Sequence, residues 1–134
     1  MFRRTMAHPV IRQFILRTAV LNYLGKSLKQ QWNDLRKLSA VLGKAEENHK
    51  GEAQQMLSQL VEVLRLKTAA SHRLLKREYD ELFTYMMDKR DLWDSPEYFK
   101  AKAALGMAIH NLRTCAPTKT MDEGQPRGRV VNDR

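Results

Sequence analysis

The chain has 134 residues, with 24 lysines and arginines against 15 aspartates and glutamates, for a formal net charge of +9. Hydrophobic residues at 43% and charged residues at 29% exclude a disordered chain, and the length excludes two independent domains, so a single modest core is expected. No apolar run approaches the roughly 18 to 20 residues of a membrane span, and one cysteine, Cys115, excludes an internal disulfide framework.

The charge is unevenly spread. Residues 1–44 carry nine basic side chains against Asp34 alone, net +8. Residues 45–94 hold eight basic and ten acidic, net −2, and residues 95–134 seven against four, net +3. A field of this kind draws phosphate backbones, anionic lipid head groups or acidic protein surfaces, and charge alone does not choose among them.

Taken in order, residues 1–8 read as a basic N-terminal arm with Arg3 and Arg4. The stretch as far as Asn33 contains no acidic residue, the balance of a mitochondrial presequence. A mitochondrial location is therefore the expectation, with a cytoplasmic one if the basic helix is simply retained. Proline in the first turn suits a helix start at Pro9. From Val10 the positions Phe14, Arg17, Leu21, Leu24, Leu28, Gln31, Leu35, Leu38 and Leu42 follow at alternating steps of four and three. This coiled-coil-like seam predicts a first helix over 9–42, interrupted only by Arg17 and Gln31. Gly25 inside it predicts a kink or a close approach, Trp32 and Tyr23 read as packing residues, and Gly43 reads as the helix C-cap.

Lys44 to Gly51 reads as a turn short enough to force the next helix antiparallel. Glu52 to Ser95 is the longest stretch without glycine or proline, and predicts a second helix over 52–93. Its stripe runs through Ala53, Leu57, Leu60, Leu64, Thr68, Ser71, Leu75, Tyr79, Leu82 and Met86. On its polar side, Arg65, Lys67, Arg73, Lys76 and Arg77 form a basic run without an acid. That run is read either as a solvated face laced with ion pairs or as a docking surface.

Ser95, Pro96 and Glu97 supply a cap, a first-turn proline and a dipole-complementing acid. They start a shorter third helix over 96–114, with Tyr98, Ala101, Leu105, Ala108 and Leu112 on one stripe and Gly106 suited to tucking against the hairpin. Residues 116–134 change to a Pro- and Gly-containing composition and read as a flexible tail that orders only on a partner.

The expected fold is thus all-α: a long antiparallel helical hairpin with a third helix, bundle-like, over residues 9–115. No phosphate loop, nucleophile elbow or ligand-spaced His and Cys cluster occurs, so neither an enzyme nor a cofactor or metal is expected. The leading expectation is an accessory or assembly subunit of a larger protein or ribonucleoprotein complex, docking through its seams and basic first helix. Direct nucleic-acid binding of low sequence specificity is the alternative, a membrane-surface helix over residues 9–30 the second, and the seam also admits self-association. The residues placed at the charged contacts are Arg3, Arg4, Arg12, Arg17, Lys26, Lys29, Arg65, Lys67, Arg73, Lys76 and Arg77. Those placed at the seams are Phe14, Leu21, Leu24, Leu28, Leu35, Leu38, Leu57, Leu60, Leu64 and Leu75.

Overall fold

The computed structural model of the chain describes residues 8–48 and 51–116. Most of the arm, with Arg3 and Arg4, and the tail beyond Ala116 lie outside the described residues. Among the described residues there are three α-helices, α1 (Pro9–Asn48), α2 (Glu52–Asp88) and α3 (Pro96–Thr114), with one 3₁₀ turn (Arg90–Leu92) between the last two. The described residues contain no strand. The all-α hairpin with a shorter third helix is the architecture that the sequence leads one to expect.

Local chemistry explains most boundaries. His8 Nδ1 accepts the Val10 amide at 3.2 Å, which satisfies one of the donors left over at the start of α1. Ser95 Oγ accepts the Tyr98 amide at 3.1 Å and Pro96 occupies the first turn, so α3 starts where its sequence indicates. Gly51 precedes α2 with φ 141 and ψ −163, a conformation open essentially to glycine alone.

Two expected boundaries are corrected. Gly43 is no C-cap, because α1 continues through it to Asn48. One glycine costs a helix about 1 kcal/mol, too little to stop it when the following Lys44, Ala45, Glu46 and Glu47 are all good helix formers. The second helix ends at Asp88 rather than residue 93. Asp88, Asp91 and Asp94 crowd the negative end of the helix dipole. The chain tightens there: the Lys89 amide is shared between the Tyr85 and Met86 carbonyls, and Leu92, Trp93 and Ser95 amides donate to carbonyls three residues back.

The hairpin is about 60 Å long, from 40 residues at 1.5 Å each. α3, with 19 residues, spans only part of it. Phe14 at the start of α1 meets Tyr98 at the start of α3, and Gly25 meets Asn111 near its end, so α1 and α3 run parallel. The molecule therefore has a proximal three-helix half and a distal two-helix half.

The core sits in the proximal half. Phe14, Leu21, Leu28, Leu75, Leu82, Met86, Ala101, Ala104, Leu105, Ala108 and Leu112 are buried against one another. Phe14 joins all three helices, its ring edge-on to Tyr85 of α2 at 5.5 Å and to Tyr98 of α3 at 5.6 Å. Each such pair contributes about 0.5–1.5 kcal/mol beyond the area it buries. On α1 the residues at every seventh position, Phe14, Leu21, Leu28 and Leu35, are the deepest. The seam flank of Arg17, Leu24 and Gln31 is half-buried beside them, and a second flank, Ile11 and Gly25, is buried as well.

Gly25 is a point of close approach, since a Cβ there would stand 2.9 Å from Asn111 Nδ2. Gly106, expected to tuck against the hairpin, is exposed with nothing within 4 Å of a would-be Cβ. Small size at α3 is instead used at Ala101, Ala104 and Ala108, which are buried.

Candidate docking surfaces

Where only two helices pair, an apolar stripe cannot be fully covered. On α2 the predicted stripe is buried at Thr68, Leu75, Leu82 and Met86, but Leu57 and Leu64 are half-buried and Leu60 is 46% exposed. Leu38 of α1 is likewise half-buried, and Val41, Met56, Val63 and Leu66 stand exposed on the same half of the hairpin. Of the predicted seam residues, Phe14, Leu21, Leu28, Leu35 and Leu75 are therefore core, Leu24, Leu38, Leu57 and Leu64 are margin, and Leu60 is surface.

The predicted cations separate into three groups. Arg17 points into the hairpin: its Nη1 lies 3.5 Å from Glu81 Oε1, its guanidinium carbon sits 5.3 Å from the Tyr85 ring centroid, and its Nε is buried without a hydrogen-bond partner. It ties α1 to α2 and does not face outward as a phosphate contact. Along α2, Arg65 pairs with Glu62, Lys76 with Asp80 at 2.8 Å and Arg77 with Glu78 at 3.3 Å. That basic run is mostly a surface laced with ion pairs inside one helix, leaving Lys67 and Arg73 exposed without one among the described residues. Arg12, Lys26 and Lys29 of α1 form the third group, exposed and without an ion pair among the described residues. Arg36 and Lys37 extend it along the same helix.

Lys26 and Lys29 border a groove between α1 and α3. It consists of two hollows that share Asn22. One, of about 360 Å³, is lined by Phe14, Ile15, Thr18, Ala19, Glu97 and Lys100. The other, of about 530 Å³, is lined by Tyr23, Lys26, Lys29, Met107 and Asn111. Tyr23, read from sequence as a packing residue, is 70% exposed on this rim, whereas Trp32 is half-buried against the core.

Lys100, Met107 and Asn111 were not singled out by sequence. The α1 wall they face did carry a signal: Ile15, Ala19, Asn22, Lys26 and Lys29 repeat at steps of four and three, the spacing of the seam shifted five residues along α1. Polar residues interleave in that second series, so hydrophobic periodicity alone passes over it.

Elsewhere, His72 Nε2 lies 2.9 Å from the Leu112 carbonyl oxygen and satisfies an acceptor in the last turn of α3. Cys115 is buried, and no group of three or more His, Cys, Asp or Glu side chains among the described residues could hold a metal ion. No helix among the described residues is long and apolar enough to cross a membrane. Comparison of the chain with protein-family models, curated proteins and solved structures finds no match.

Proposed function

We propose that this protein is a non-enzymatic helical assembly subunit, which docks in a larger protein or ribonucleoprotein complex through apolar helix faces bordered by the cations of α1. The observation that carries this reading is the mismatch in helix length. An α3 of 19 residues cannot cover a hairpin built from helices of 40 and 37. Leu60, Val41, Met56 and Val63 are left exposed on the two-helix half, which α3 does not reach. A helix from a partner laid on that half would bury the stripe as α3 does on the other half.

Direct nucleic-acid binding is the second reading, favoured by Arg12, Lys26, Lys29, Arg36 and Lys37, a row of exposed cations on one helix. The two readings separate in one experiment. The tagged full chain is recovered from native lysate with and without nuclease, and its neighbours are mapped by cross-linking mass spectrometry. A protein partner that survives nuclease, with cross-links on the distal hairpin that are lost in Leu60→Asp, supports the assembly reading. Recovery of nucleic acid alone, with a steep dependence on salt, overturns it in favour of backbone binding.

A further inference from the structure

The groove between α1 and α3 carries an assignment more specific than docking in general. Its walls are two parallel helices, and the distance from Ile15 to Lys29 along α1 is about 21 Å, or four helical turns, at 1.5 Å per residue. Apolar side chains stand on both walls: Ile15 and Tyr23 on α1 and Met107 on α3, each at least half exposed. The charge is one-sided. Lys26, Lys29 and Lys100 line the groove against Glu97 alone, and none of the three lysines makes an ion pair among the described residues.

A second observation is independent of these. Asn111 lies in the floor, 6% exposed, and its side-chain amide has no hydrogen-bond partner among the described residues. Its amide atoms are not fully enclosed and keep access from the hollow that the residue lines. Thr18 lines the adjoining hollow, but its Oγ1 is itself enclosed and so not open to a ligand there. Polar groups buried this deeply are ordinarily hydrogen-bonded, because an unmet amide or hydroxyl costs about 1–3 kcal/mol. Gly25 brings α1 close enough that the Asn111 side chain is held at this point.

We infer that the α1–α3 groove binds an acidic amphipathic helix of a partner protein, about four turns long. Its apolar stripe lies against Ile15, Tyr23 and Met107, its carboxylates meet Lys26 and Lys29 at one end and Lys100 at the other, and a polar side chain towards the Lys26 end pairs with Asn111. The result is a four-helix arrangement around the proximal half, with the distal half left for other contacts. A nucleic-acid backbone would satisfy the lysines but would leave the apolar walls and the Asn111 amide unmet. The assignment rests on the assembly reading and names the partner chemistry at one of its surfaces.

The test uses the full chain and three fluorescent synthetic peptides of about 16 residues, compared by anisotropy. The first is an amphipathic helix with a leucine stripe, glutamate flanks and a glutamine placed off centre, towards the end that meets Lys26. The second is its scrambled sequence, and the third has the same stripe with lysine flanks. The first should bind at least tenfold more tightly than either control. Lys26→Glu with Lys29→Glu should weaken it about tenfold or more and restore binding of the lysine-flanked peptide. Tyr23→Ala and Met107→Ala, at exposed positions that the fold does not depend on, should each weaken it severalfold. Equal binding of the scrambled peptide, or indifference to all these variants, overturns the inference. So does a preference of the same groove variants for losing anionic vesicles or duplex RNA while peptide binding is weak throughout. If the lysate experiment yields a partner whose recovery ignores Lys26→Glu and Lys29→Glu, the assembly reading stands and the groove assignment falls.

Discussion

At the scale of single residues, the three described glycines that matter behave in three different ways, and the difference is set by what surrounds each. Gly43 lies within α1 in open space, so its only effect is the backbone entropy that it costs a helix. Gly43→Ala should therefore stabilise the protein, by about 1 kcal/mol at most, read as a higher midpoint in urea with an unchanged slope. Gly51 also has space around it, but at φ 141 an alanine is strained. Gly51→Ala should cost about 1–3 kcal/mol, and a neutral result would show that the start of α2 rearranges freely. At Gly25 an added Cβ would stand 2.9 Å from Asn111 Nδ2. There the helical gain of an alanine is offset by displacement of a buried side chain, so Gly25→Ala should become more favourable in an Asn111→Ala background. A double-mutant cycle should show a coupling of about 0.5 kcal/mol or more, and additivity would mean that the two residues do not touch in solution.

At the scale of elements, each helix was legible from its periodicity, and the depth of each stripe was not. The α2 stripe from Ala53 to Met86 faces one direction along its length, yet Leu82 is buried and Leu60 is surface. Nothing in the spacing of leucines says where a third helix stops; that is decided by the turn after Asp88 and by the length of α3. For the same reason the seam on α1 was half of the answer. The flank with Arg17 and Leu24 meets α2, while Ile11 and Gly25, on the side turned to α3, lie outside a single heptad register. The contrast makes a direct prediction. Leu28→Asp places a charge at a fully buried site and should prevent cooperative folding, since an unpaired buried charge costs several kcal/mol against a total of about 5–15. Leu60→Asp, on the same predicted seam class, should change the thermal midpoint little. Equal damage from both, measured by circular dichroism melts, would show that the distal stripe is covered, by self-association for example, and sedimentation of the wild type would then reveal a dimer.

At the scale of the whole molecule, the candidate site was less legible than the fold because it lies between elements that are far apart in sequence. Lys26 and Lys29 could be read as exposed cations of a basic helix, but their juxtaposition with Met107 and Asn111 follows only from α3 running parallel to α1. Charge by segment gave the sign of the surface and missed that Arg17 turns inward onto Tyr85. The same division into a three-helix and a two-helix half governs stability. In the proximal half Phe14, Leu21 and Leu28 are enclosed by α2 and α3, and opening any one helix exposes the faces of the other two. In the distal half Leu35 is the one fully buried α1 leucine beyond that cluster, with Leu38, Leu57 and Leu64 only half covered. Fewer buried contacts mean that the distal helices can open while the proximal core stays formed. Native-state hydrogen exchange should therefore divide α1 and α2 into two classes. Amides over 14–28 and 72–86 should exchange only through global unfolding, with a urea slope equal to that of the equilibrium transition, whereas amides over 38–44 and 53–64 should exchange through a smaller opening with a shallower slope. Uniform protection along the full 40 residues of α1 would mean that the distal hairpin is held as firmly as the core, and would remove the uncovered stripe on which the assembly reading depends.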